Sequence, residues 1–140
     1  MDTKSLNLKL TEIAEKRNQL SGMDYSDKQY DDLEEELHDI EDDFNETYGS
    51  YLEEALQKVH DKYCPENDVL IPTSYLANKY IETSKNKDGS PIYDVSYDEG
   101  ISVESEELPG KDIKLVIVPN PTRILLMIGG DQKKEVWTVS

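Results

Sequence analysis

His60 and Cys64 stand four residues apart in the segment HDKYC, a spacing that puts two side chains on one face of a helix. A neutral imidazole and a thiolate are both good zinc ligands, and a His beside a Cys can also activate a thiol nucleophile. Asp61 and Asp68 are the acids close enough in sequence to join them. Two ligands do not define a metal site, and a Cys with a His needs a third group to orient the ring. The plainer reading is a helix-terminal His favoured by the dipole and a small buried thiol. A metal- or thiol-dependent enzyme centred on His60 and Cys64 is therefore one alternative function, and a structural homodimer is the other.

Other reactive-looking groups are weaker. Glu35 and His38 have the spacing used on helices of di-iron carboxylate bundles, but they lie off the apolar seam and point outward. His38 and His60 would stand about 33 Å apart along one helix, too far for a shared ion. Ser84, Asn86, Asp88 and Gly89 echo the start of a calcium loop, yet the twelfth position is Val95, which has no carboxylate. A β-turn fits them better. Gly129, Gly130 and Asp131 read as a hairpin turn, since no helix N-terminus follows to cradle phosphate. There is no Ser-centred triad, nucleotide loop or zinc-finger spacing, so no cofactor is expected.

Charge is the stronger signal. The 140 residues include 31 acids against 15 Lys and Arg, for a net charge of -16. Binding to nucleic acid rests on neutralising phosphates with basic side chains, so direct contact with nucleic acid, or with an anionic membrane, is disfavoured. Eleven of the twenty residues from Asp27 to Glu46 are acidic, and only Lys28 is basic. The same stretch keeps an apolar seam at Tyr30, Leu33, Leu37, Ile40 and Phe44. Such a run is a helix held by packing, with its outward positions made anionic. Asp32, Glu35, Glu36, Asp39, Asp42 and Asp43 form the candidate binding patch for a basic protein partner. Solubility and mimicry of a phosphate backbone are the competing explanations.

The elements that must position these residues follow from periodicity. Leu6, Leu10, Ile13, Arg17 and Leu20 recur at steps of four and three, predicting a first helix over 5–20, closed by Gly22 in the left-handed conformation. Ser26, with Gln29 three residues on and Tyr25 and Tyr30 as a staple, predicts a second helix capped at Ser26. Folded back on each other, the seams pair Leu20 with Tyr30, Arg17 with Leu33, Ile13 with Leu37, Leu10 with Ile40 and Leu6 with Phe44. Lys9, Lys16 and Arg17 then lie beside the acidic helix. Beyond Gly49, a plausible bend, a wider stripe of Tyr51, Leu52, Ala55, Leu56, Val59 and Tyr63 calls for a broader cover.

Cys64 and Pro65 end the long helix. Pro72, Thr73 and Ser74 suggest a small helix with Leu76 and Tyr80 on one face, a strand being nearly as good. Strands are expected at 92–97, 101–105, 113–118, 123–128 and 135–139, punctuated by Gly and Pro, and together they read as an antiparallel meander. Ile113 to Val118 and Arg123 to Ile128 are apolar on both faces and should be central.

The expected fold is one α+β domain over 1–140. A helical hairpin (1–63) with a long second helix packs on a short helix or strand plus a meander of four to five strands (64–140). The long helix covers one face of the sheet, and the small helix or a second subunit covers the other, which leaves a homodimer open. Cys64 is the only cysteine, so an internal disulfide is impossible and a reducing compartment fits. With no basic apolar leader and no membrane-length apolar run, the expected home is the cytoplasm. The expected function is a non-catalytic protein-interaction module that uses the acidic hairpin surface.

Overall fold

The computed structural model describes residues 2–106 and 108–139. Helix α1 spans Thr3–Ser21 and α2 spans Tyr30–Tyr63. Asp2 starts α1: its carboxylate accepts the backbone N–H groups of Lys4 and Ser5 at 3.1 Å, satisfying two of the donors that a helix start leaves free. Gly22 closes α1 with φ -90 and an N–H donated to Gln19 O. The left-handed closure expected there is not used.

Helix α2 begins later than the Ser26 signature predicts. Asp24 and Asp27 reach their own backbone two residues on, accepting from Ser26 N at 3.1 Å and Gln29 N at 2.9 Å. Two successive aspartate turns therefore occupy the residues that would have formed the cap. Gln29 takes the cap position with no side-chain bond. Tyr25 and Tyr30 still meet, with ring centroids 4.9 Å apart. The helix then runs through Gly49 without a break to Tyr63.

Leu6, Leu10 and Ile13 of α1 are buried with Leu37 and Phe44 of α2, so the two seams meet as their spacing implies. Farther along, Leu52, Ala55, Leu56 and Val59 join the same cluster with residues of a sheet. That sheet has four antiparallel strands in the order β3, β4, β5, β6, spanning Ile101–Val103, Ile113–Val118, Arg123–Ile128 and Gln132–Thr138. The two apolar strands β4 and β5 are central, as expected. Gly129 and Gly130, with φ 64 and 78, form the primed turn that matches the twist of the β5–β6 hairpin. Before β3, Gly100 has φ +90, and a Cβ there would fall 2.6 Å from Leu115 O. Only glycine lets the chain approach β4 so closely.

Between α2 and the sheet the expected helix shrinks to a single 3-10 turn at Pro72–Tyr75. The Tyr80 hydroxyl accepts Ala77 N–H at 2.9 Å and donates to Ile117 O at 2.8 Å. This ties residues 77–80, which bend at Asn78, down onto the sheet in place of a helix. Two further strands, β1 (Ile81–Lys85) and β2 (Pro91–Asp94), form a separate antiparallel hairpin. The strand β1 had no alternating pattern to announce it, because all five of its residues are exposed.

Alternation on β4 and β5 divides the core. Ile113, Leu115, Ile117, Ile124 and Leu126 face the helices. Val116, Val118, Leu125 and Met127 face Ala77, Tyr80, Tyr93 and Val95. The second face is thus covered by this chain's own β2 and the segment before β1.

Candidate functional site

His60 and Cys64 lie at the C-terminal end of α2, where Cys64 N–H caps the helix by donating to His60 O at 2.8 Å. The His60 ring is 1% exposed. Its Nδ1 is 2.8 Å from Asn67 O and its Nε2 is 2.9 Å from the Tyr75 hydroxyl. A carbonyl can only accept, so Nδ1 carries the proton in the neutral ring and Nε2 accepts from Tyr75. The Tyr75 oxygen in turn accepts Leu70 N–H at 3.0 Å. The imidazole therefore ties α2 to the loop at Asn67 and, through Tyr75, to Leu70. While these bonds stand, neither ring nitrogen has a lone pair to offer a metal.

Cys64 is fully buried, and burial pushes its thiol above the ordinary range. That is the direction opposite to a reactive thiolate. Burial likewise raises Tyr75. Among the described residues, no three or more His, Cys, Asp or Glu side chains are grouped to hold a metal ion. Asp61 and Asp68 are both exposed, away from the buried pair.

The acidic patch is built differently. Asp32, Glu35, Glu36, Asp39, Asp42 and Asp43 are all exposed on α2. At about 100° per residue, five of them share the face opposite the seam, and Glu36 lies on its flank. Lys16 of α1 takes that flank position, with Nζ 2.9 Å from Glu36. On the other flank Arg17 Nε donates to Glu41 at 2.7 Å while Nη1 donates to Ala77 O at 3.2 Å. Arg17 and Glu41 are each only 16% exposed, so this pair is a half-buried strap linking both helices to the segment before β1. Among the described residues, Asp32, Glu35, Asp39, Asp42 and Asp43 make no ion pair. Glu46, exposed on the same face, extends the bare surface toward Tyr48.

Two features were not singled out from the sequence. The first is an asparagine cluster that ties the start of α1 to two turns. Asn7 donates to the Asn120 side chain at 2.9 Å and accepts Asn120 N–H at 2.7 Å. Asn120 donates to Pro91 O at 2.7 Å, and Asn86 donates to Asn120 O at 3.2 Å. Asparagines more than a hundred positions apart leave no sequence signal of their meeting. The second is a groove of about 580 Å³ at the mouth of the helical hairpin, lined by Arg17, Tyr25, Tyr30, Glu34, His38 and Glu41 among others. Tyr30, Glu34, His38 and Glu41 recur at steps of four and three, which was legible as a helical stripe. What it would face was not.

No helix among the described residues is long and apolar enough to cross a membrane. No protein-family model, curated protein or solved structure matches this chain.

Proposed function

We propose that the chain is a non-catalytic protein-interaction module whose acidic helical-hairpin face binds a basic protein partner. One observation carries the reading: the flank acids Glu36 and Glu41 are each held by a cation of α1, whereas the outward acids are exposed and unpaired among the described residues. Glu35, Asp39 and Asp43 succeed one another at steps of four, and like charges so placed oppose the helix by roughly 0.2 to 0.5 kcal/mol per pair. Packing of the seam offsets that cost, and a basic surface docking on the outer face would relieve it. Charge complementarity of this kind accelerates encounter and selects partners.

The test is capture from native lysate at low and high salt, using the wild-type chain and a variant with Asp32, Glu35, Asp39, Asp42 and Asp43 changed to Asn or Gln. A basic protein should be retained by wild type at low salt and lost with either change. Capture that is indifferent to both changes overturns the proposal.

A further inference from the structure

We propose that the groove at the mouth of the hairpin receives one arginine side chain of the basic partner, between the Tyr25–Tyr30 pair and Glu34. This rests on the function proposed above and supplies its anchor. The groove is lined by four segments: Arg17 comes from α1, Tyr25 from the connection between the helices, Tyr30, Glu34, His38 and Glu41 from successive turns of α2, and Asn78 from the segment before β1.

Tyr25 is 85% exposed. One side of it is held by Tyr30, at 4.9 Å between ring centroids and a tilt of 49°, which leaves an aromatic surface open to solvent. A cation over a tyrosine face is attracted by the ring quadrupole. Glu34 lies one helical turn from Tyr30 and is exposed, with no ion-pair partner among the described residues. The positive charge already in the groove, Arg17, is matched by Glu41 at 2.7 Å. A guest therefore meets two rings and an unanswered carboxylate, with Asp31 exposed beside them.

Arginine fits this arrangement better than lysine. A guanidinium is planar, so it stacks on tyrosine and at the same time offers paired N–H donors to one carboxylate. An ammonium is a point charge and keeps its water more tightly. The outer acids would draw in the basic surface, and the groove would fix its register, as a buried Arg anchor does in many interfaces.

The experiment is fluorescence anisotropy with a fluorescein-labelled oligoarginine peptide and an oligolysine of equal length, both titrated with the full chain at low salt. Tyr25→Ala and Glu34→Gln should each weaken oligoarginine binding by about five- to tenfold and oligolysine binding less, while Tyr25→Phe should keep most of the affinity. Tyr25 and Glu34 are both exposed, so these variants should retain the wild-type unfolding midpoint. If Asp39→Asn, Asp42→Asn and Asp43→Asn together abolish binding while Tyr25→Ala and Glu34→Gln leave it unchanged, the groove is not the anchor and the acidic-face reading survives. Equal losses for oligoarginine and oligolysine in the two groove variants would overturn the choice of arginine. Failure of wild type to bind either peptide at low salt would overturn both.

Discussion

The two halves of α2 form one unbroken helix from Tyr30 to Tyr63, yet they are held by different partners and decorated by different rules. The first half packs along a narrow seam against α1, and half its circumference meets water. The second half lies in the main core, with Leu52 and Leu56 fully buried beside Leu115 and Ile124. Residues 30–47 contain no Lys or Arg, whereas 48–63 place Lys58 four residues after Glu54 and Lys62 near the C-terminus. Those are the ordinary positions for favourable helix pairs and for the dipole. The charge rule thus changes along one helix: the second half carries lysines among its acids, and the first half carries none.

The strongest way to test this division is to remove apolar side chains from each half. Leu52→Ala and Leu56→Ala should each destabilise the protein by about 2 to 5 kcal/mol, the range for a fully buried leucine. Leu33→Ala, at a seam residue still 8% exposed, should cost less. Urea denaturation of the three variants measures the difference. Equal costs would mean that the hairpin is as deeply anchored as the core, and that the first half is no special arm.

A second measurement concerns the buried polar junction at the end of the core half. Tyr75→Phe keeps the shape of the ring but strips a partner from both His60 Nε2 and Leu70 N–H. Only the His60 nitrogen is fully buried, Leu70 being exposed, and a buried group left unpaired costs about 1 to 3 kcal/mol, so a loss of about 2 kcal/mol is expected. Should His60 instead be free for chemistry, the loss would be small and the Cys64 thiol would react readily with a thiol reagent in the native protein. Burial and the raised thiol lead us to expect reaction only on unfolding.

How much of this was readable beforehand depended on whether a signal was local. The helices, the central strands β4 and β5 and the two glycine turns all declare themselves in periodicity or in a conformational demand made within a few residues. The cap at Ser26 failed for the same reason of locality, because Asp24 and Asp27 compete for the same N–H groups and a propensity rule does not rank such competitors. The helix expected around Leu76 and Tyr80 yielded to a distant bond, from the Tyr80 hydroxyl to Ile117. The exposed strand β1 had no face to bury and so no period. For the site, the outward acids were legible from spacing alone. That Glu36 is answered by Lys16 followed only once the helices were side by side.

Arg17 and Lys16 offer a finer comparison, since they are neighbours in sequence that pair with α2 on opposite flanks. Arg17→Met leaves Glu41 half-buried without its cation and Ala77 O without a donor. It should cost on the order of 1 to 3 kcal/mol, as unpaired buried polar groups do. Lys16→Met breaks a pair whose Glu36 side is 56% exposed, where ion pairs contribute about 0 to 1 kcal/mol. Thermal or urea melts of both variants should rank them in that order. A reversed ranking would show that the flank toward Lys16 is the structural one.

The smallest expected effect bears most directly on purpose. Asp39 lies four residues from both Glu35 and Asp43, so Asp39→Asn relieves two like-charge pairs and should stabilise the protein by roughly 0.4 to 1 kcal/mol at low salt. The gain should shrink as salt is added, because exposed charges are screened. Urea is uncharged, so urea denaturation at two salt concentrations reads this directly. The same substitution should weaken capture of the basic partner. A variant that is more stable and less able to bind means that the native aspartate opposes the fold in order to serve a contact. If Asp39→Asn gains stability with no loss of binding, the charge on the outer face serves solubility alone; if it gains none, Asp39 is stabilised by a neighbour and belongs with Glu36 and Glu41 rather than with the bare surface.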